Sequence, residues 1–183
     1  DCELLFVEDV KHSRSELEQF HTIFDQYEYR KQHILQELKQ RNIPLDFNAT
    51  VGRGGLSKAV ESGVYRVNPQ MIEDQRKAVH QHPCDLGCKL AYDIAEMIPG
   101  CQSFIADPGV VDEMIPEAHI TGLPETPRIC IWHALNQKAV GRRYAREHNT
   151  QYNKLNLIIA HLGGGISFAA HRQGRAIDAN NAL

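Results

Sequence analysis

Leu155-Asn156-Leu157-Ile158-Ile159-Ala160-His161-Leu162-Gly163-Gly164-Gly165-Ile166-Ser167, continued by Phe168-Ala169-Ala170-His171-Arg172-Gln173-Gly174-Arg175-Ala176-Ile177-Asp178, decides how this chain is read. An apolar run rich in leucine and isoleucine predicts a buried strand, and three glycines at its end let backbone N–H groups approach an anion. The segment thus reads as a phosphate-binding hairpin. A second strand follows the glycines rather than a helix, which excludes a P-loop and a dinucleotide fingerprint, since both need a helix N-terminus behind the phosphates. Gln173-Gly174 supplies a tight turn into a third short strand, Arg175 to Asp178. By themselves, three glycines after a strand are equally satisfied by a plain turn that binds nothing.

Outward from this hairpin, strands and helices alternate. Leu4 to Val10 reads as a first strand. Ser13 and Glu16 form a capping box before a helix carrying Leu17, Phe20, Phe24, Tyr27, Ile34, Leu35 and Leu38 on one stripe. Ala49-Thr50-Val51 is a short strand leading into Gly52-Arg53-Gly54-Gly55, and Gly63 to Val67 is another. Asn68-Pro69 opens a helix, and a further helix spans about Asp85 to Met97. Ser103 to Ala106 forms a strand ending at Asp107. Ile129 to Trp132 reads as an apolar strand running into His133 and a helix with Lys138, Arg142, Arg143 and Arg146. The pattern is α/β, with a parallel or mixed sheet and an antiparallel terminal hairpin.

At 183 residues the chain holds one medium core, or one domain and part of another. A net charge of −3 with both signs mixed gives no reason to expect nucleic-acid or anionic-membrane binding. No apolar run reaches a membrane span. Cys2, Cys84, Cys88, Cys101 and Cys130 are scattered and odd in number, so reduced, cytosolic thiols are expected. His80, His82, Cys84 and Cys88 place four ligand-type side chains close together, but without the spacing of known zinc motifs, so no metal is assigned to them.

Three residues invite chemistry. Arg53, flanked by glycines where a strand meets a loop, can take a carboxylate through two parallel hydrogen bonds, or sit as a surface turn residue. Asp107 before Pro108 can orient a magnesium ion or ligand group, or merely form a turn. His133, between an apolar strand and a helix, is a hydrogen-bond donor or a satisfied core histidine.

The terminal segment closely resembles the second phosphate motif of the acetate and butyrate kinase family, within the actin-like and sugar-kinase superfamily. Gly-Gly-Gly followed by His171-Arg172-Gln173-Gly174-Arg175, then Ile177-Asp178 and Asn180-Asn181, looks like the butyrate kinase branch. The resemblance extends through Lys11-His12-Ser13, Thr22 to Gln26, Val51 to Leu56, Ile105 to Pro108 and Trp132 to Ala139. His82-Pro83-Cys84-Asp85-Leu86-Gly87 departs at three positions from the branch pattern His-Ala-Ser-Asn-Leu-Gly.

This resemblance implies a ribonuclease-H-like, actin-like ATPase fold of two domains around a cleft, incomplete in this chain. Residues 1–121 would form most of the first domain, 122–183 the start of the second, with the Pro116 to Pro127 passage near the crossing. The chain looks like an internal fragment, without the family's opening phosphate motif, adenosine site and a catalytic arginine, and is expected to be inactive alone. For the parent, the resemblance implies a cytoplasmic, homo-oligomeric kinase using ATP/ADP and Mg2+ to convert butyrate or a branched analogue to its acyl phosphate by direct in-line transfer. Acetate or propionate kinase, and a noncatalytic nucleotide-binding module, are the alternatives. Asp107, His133 and Arg53 would be catalytic; His161, Gly163, Gly164 and Gly165 would line the phosphate path.

Overall fold

The computed structural model describes residues 3–56, 58–78 and 81–182, the last by its backbone alone. The chain divides into two compact units, 1–46 and 47–183.

In the first unit, Ser13 and Glu16 close the expected capping box, but the helix they open, α1 (Arg14–Leu17), lasts one turn. The long apolar stripe is not one helix. A second box restarts the chain: Thr22 N–H donates to Asp25 Oδ2 (2.8 Å) and Asp25 N–H to Thr22 Oγ1 (3.2 Å). A 3-10 turn, Phe24–Gln26, then leads into α2 (Tyr27–Gln40). Two reciprocal caps nine residues apart satisfy orphan N–H groups at two helix starts, so the stripe is divided between them. The predicted strand from Leu4 to Val10 is also absent: no ladder forms over these residues, and Leu4, Leu5 and Val7 are exposed. A strand needs a paired neighbour, which an apolar run by itself cannot supply.

The second unit carries two sheets. The first has the order β1-β3-β2, from β1 (Ala49–Arg53), β2 (Val64–Arg66) and β3 (Gln102–Ala106). Strands β1 and β3 are parallel, and β2 is antiparallel to β3, giving the mixed sheet. Between them run α3 (Pro69–Arg76), whose N-cap Asn68 accepts from Met71 N–H at 3.0 Å, and α4 (Leu86–Glu96). Helix α4 lies on β1 and β3, and buries Leu86, Cys88, Ala91, Ile94 and Ala95 on one face.

Glycine permits this packing. A Cβ on Gly87 would fall on the carbonyl oxygen of Arg53, and one on Gly52 on the carbonyl oxygen of Gly87. Helix start and strand end therefore touch backbone to backbone. A Gly87→Ala substitution should force them apart and lower the unfolding free energy by about 3 kcal/mol, measurable by urea titration.

Helix α5 (Ala134–Glu147) precedes the second sheet, an antiparallel meander of β4 (Asn156–Leu162), β5 (Ile166–Arg172) and β6 (Arg175–Ala182). Gln173 (φ 52°) and Gly174 (φ 85°) both take left-handed backbone in the β5–β6 turn, as a type I′ hairpin requires. Strand β6 runs four residues past the expected Asp178. One face of the meander buries Ala169, Ala176 and Ala179 against Val111, Met114, Cys130, Trp132 and Ala134. The other leaves Ile158, Leu162, Ile166 and Phe168 exposed.

The predicted strand Ile129 to Trp132 is not one. Its alternation is real, since Cys130 and Trp132 are buried and Ile129 is exposed, but the segment joins no sheet. Instead Cys130 Sγ and Trp132 Nε1 both donate to the Val111 carbonyl (3.2 and 2.7 Å), and Trp132 N–H to Gly109 (3.0 Å). Among the described residues no helix is long and apolar enough to cross a membrane.

Candidate functional site

A cleft of about 630 Å³ opens within the second unit, a volume suited to a small ligand. Arg53, Asp107, His133, His161, Gly164 and Gly165 all line it, brought together from β1, β3, the start of α5 and the β4–β5 loop. Gly163, also a sequence candidate, sits beside this wall with His161 Nε2 against it.

Arg53 is held at the end of β1 by the glycine contact with α4. The following loop is fixed from behind by Asp85, fully buried, whose carboxylate accepts from Leu56 N–H (2.5 Å) and His82 N–H (2.6 Å). Burial pushes Asp85 above the ordinary carboxylate range, with the two N–H groups opposing this. Gln75, also fully buried, donates to the Asp85 carbonyl (2.6 Å) and accepts from Gly55 N–H (3.0 Å). Among the described residues Arg53 has no carboxylate partner.

Asp107 adopts φ 38°, unusual for a non-glycine residue. Its surroundings determine it: Oδ1 accepts from Ser62 Oγ (2.6 Å) and Gly63 N–H (2.9 Å), and Oδ2 from Arg142 Nη1 (3.2 Å). Left-handed backbone held in this way is stored strain of the sort found at ligand sites. With Arg142 paired to Asp107, Arg53 is the arginine among the described lining residues that has no ion-pair partner.

His133 stands at the N-cap of α5 with its ring stacked on His161, centroids 3.8 Å apart and planes 8° from parallel. Its Nδ1 lies 2.7 Å from Ser167 Oγ. Burial holds its pKa below the ordinary histidine value, helped by His161, Arg53 and His82. No side chain caps α5, and its first-turn residues Ala134, Leu135 and Asn136 line the cleft, so the positive end of the helix dipole faces the space beside Arg53. His161 Nδ1 contacts Asn136 Oδ1 at 3.2 Å, bracing the glycine loop. Gly164 has open space where a Cβ would stand and no left-handed backbone, so the fold itself does not require glycine there.

Behind His133, a buried polar chain runs through Ser167, Gln137 and His171 to Tyr152. Burial, with Lys138 adding to it, pushes His171 down to about 4. The unfolded chain takes up this proton near pH 6.5, and the folded chain only near pH 4, so the contribution is intact above about 6.5 and lost as pH falls. Urea unfolding should show about 3 kcal/mol disappearing between pH 6.5 and 4 from this group. A His171→Gln variant should flatten that part of the curve.

Among the described residues, His82, Cys84 and Cys88 are not assembled as a ligand set. His80 lies outside the described residues, and among those described no three His, Cys, Asp or Glu side chains converge on a metal position. His82 Nδ1 and Cys84 Sγ are 3.1 Å apart, but burial pushes the Cys84 thiol up to about 11. Cys2 also lies outside the described residues; Cys84, Cys88, Cys101 and Cys130 are free. Sequence reasoning missed Ser62, Arg142, Gln137 and Ser167, ordinary residues whose role comes only from tertiary placement.

No family model matches the chain. It is 52% identical over 179 residues to a probable butyrate kinase of Bacteroides thetaiotaomicron, covering 98% of this chain and 51% of the relative. Butyrate kinase 2 of Clostridium acetobutylicum is 48% identical over 178 residues, covering 96% and 50%. The chain thus spans about half the length of the curated relatives it matches. Among solved structures, acetate kinase from Porphyromonas gingivalis superimposes with a TM-score of 0.65 at 21% identity, over 82% of this chain and 41% of that one. Acetate kinase from Entamoeba histolytica gives 0.62 at 14% identity, over 85% and 42%. These curated relatives of the chain are a butyrate kinase and a probable butyrate kinase, and its mixed α/β fold resembles that of the acetate kinases, as the sequence motifs implied.

Proposed function

We propose that the whole protein is a short-chain carboxylic acid kinase that moves a phosphoryl group reversibly between ATP and butyrate, or a branched analogue, in one direct in-line step. The observation that carries this reading is convergence: residues singled out from separate segments meet in one cleft, where the Arg53 guanidinium has no carboxylate partner among the described residues. Near 50% identity to butyrate kinases over nearly all of this chain supports the acyl preference. In this reading residues 1–121 belong to one domain of the whole protein and 122–183 begin the next.

Phosphoryl transfer asks little covalent chemistry of a protein. It needs an aligned acceptor and charge balance on the equatorial oxygens. Arg53 holds the acid's carboxylate, so that one of its oxygens faces the phosphorus. His133 donates to an equatorial oxygen, with the start of α5 adding its dipole. His161 and the Gly163 to Gly165 backbone guide the phosphate chain. Asp107 is the one carboxylate among the described lining residues, and Oδ2 retains an acceptor site beside its bond from Arg142. That donor set fits a magnesium ion carried on nucleotide phosphates, which needs only one or two protein carboxylates, and not a protein-built cage. Bound there, magnesium would neutralise charge on the phosphates.

Gly164 separates this reading from a plain turn. Gly164→Ala should leave the melting temperature unchanged, because its Cβ meets nothing. It should raise the KM for nucleotide or acyl phosphate by about tenfold or more, since the methyl occupies the anion's approach. Unchanged KM values in a folded variant would count against phosphate binding at the loop.

A further inference from the structure

Hydrogen-bond directions behind His133 are fixed without reference to any ligand. The Ser167 carbonyl can only accept, and Gln137 Nε2 lies 3.2 Å from it, so the Gln137 amide has one orientation. The same Nε2 donates to Ser167 Oγ (2.9 Å), and the His133 backbone N–H donates to that oxygen as well (3.2 Å). A hydroxyl has two lone pairs and one hydrogen. With both lone pairs taken, the hydrogen has a single destination, His133 Nδ1 at 2.7 Å.

From the other end, Gln137 Oε1 must accept from His171 Nε2 (3.2 Å), which leaves His171 Nδ1 to accept the Tyr152 hydroxyl hydrogen (2.5 Å). Burial pushes Tyr152 up to about 12 and His171 down to about 4, so both stay neutral around pH 7. Gln137, Ser167 and His171 are all at least 98% buried. A chain this deep must be fully satisfied, and each member here sets the direction of the next.

We infer that Ser167 is the positioning residue that fixes His133 as the Nε2–H tautomer, at the end of a one-way hydrogen-bond chain from Tyr152 through His171 and Gln137. Its hydroxyl occupies the Nδ1 lone pair, so the ring proton resides on Nε2, the nitrogen left for the cleft. His133 is thereby a donor there and has no free lone pair at Nε2 with which to act as base or nucleophile. The consequence for catalysis rests on the phosphoryl-transfer reading above; the tautomer does not.

The test is long-range 15N–1H NMR of the histidines in the 183-residue chain, for wild type, Ser167→Ala and Ser167→Thr, near neutral pH. Wild-type His133 should show an unprotonated Nδ1 and a protonated Nε2 at limiting shifts. Ser167→Ala should move both nitrogens towards averaged values, and Ser167→Thr should restore the limits. A wild-type ring protonated at Nδ1, or nitrogen shifts indifferent to Ser167→Ala, would overturn the inference. In the whole protein, Ser167→Ala should lower kcat about 10- to 100-fold with KM little changed, and Ser167→Thr should recover most of it. Limiting shifts in a protein with no acid kinase turnover would reject the transfer reading and leave the tautomer standing. Normal turnover with the opposite tautomer would reject Ser167's role alone.

Discussion

His133→Ala in the whole protein is expected to lower kcat about 100- to 1000-fold while changing the KM for acid and nucleotide much less. Removing one well-placed donor to developing charge usually costs this much, because the bond strengthens as charge gathers on the equatorial oxygens. The ring stacks on His161, and in the proposed tautomer its Nδ1 accepts from Ser167, so on the proposed transfer reading its Nε2–H is the group that would meet a phosphoryl oxygen. A fold defect would mimic the loss, so melting temperature is measured alongside. An undiminished kcat would assign the histidine to structure rather than transfer.

Lys138→Met is expected to produce the largest loss of stability, about 3 to 5 kcal/mol in urea unfolding. Lys138 is 1% exposed, and its Nζ donates to Glu113 Oε2 (2.7 Å) and the Gly174 carbonyl (3.2 Å). Glu113 Oε2 also accepts from Ala176 N–H (3.0 Å), so the pair ties α5 to the β5–β6 turn. Losing the ammonium leaves Glu113 charged, buried and with one N–H for compensation. Changing both partners, Lys138→Met with Glu113→Gln, removes the stranded charge and keeps an acceptor for Ala176. This double variant should recover most of the loss. Equal destabilisation in single and double variants would show that packing around the lysine stem, not the charge, dominates.

Local rules carried much of the fold. The meander was legible because β4 is apolar, three glycines close it, and Gln173-Gly174 suits a turn needing two positive φ angles, but the expected burial of β4 was wrong, since among its residues only Ile159 is buried. Asn68-Pro69 announced α3, and Ser13 with Glu16 announced α1, for equally local reasons. Pairing was less legible. Leu4 to Val10 opens as an apolar run and Ile129 to Trp132 is one throughout, yet neither finds a ladder, since a partner strand is a tertiary fact. The break between α1 and α2 was written in Thr22 and Asp25, but the continuous apolar stripe outweighed it.

The candidate site shows the same division. Arg53, Asp107, His133, His161 and the three glycines stood out because each sits at the end of a predicted element or beside a glycine. Arg53, Asp107, His133, His161, Gly164 and Gly165 meet in one cleft, with Gly163 beside it, because the ends of two separate sheets and the start of α5 converge there, which is a tertiary fact. Lys138 was one of four cations on a helix, and only its burial against Glu113 separates it from Arg143, which pairs with Glu147 in solvent. Ser167, Gln137 and Tyr152 carry no mark in the sequence, because hydrogen-bond direction depends on neighbours distant along the chain.

The most direct test of the account is hydroxamate trapping of acyl phosphate by the whole protein, given ATP, magnesium and, in turn, acetate, propionate, butyrate and isobutyrate. The account predicts acyl phosphate from butyrate or isobutyrate, with acetate much poorer. Turnover with acetate alone, or with none of the four acids, would contradict it.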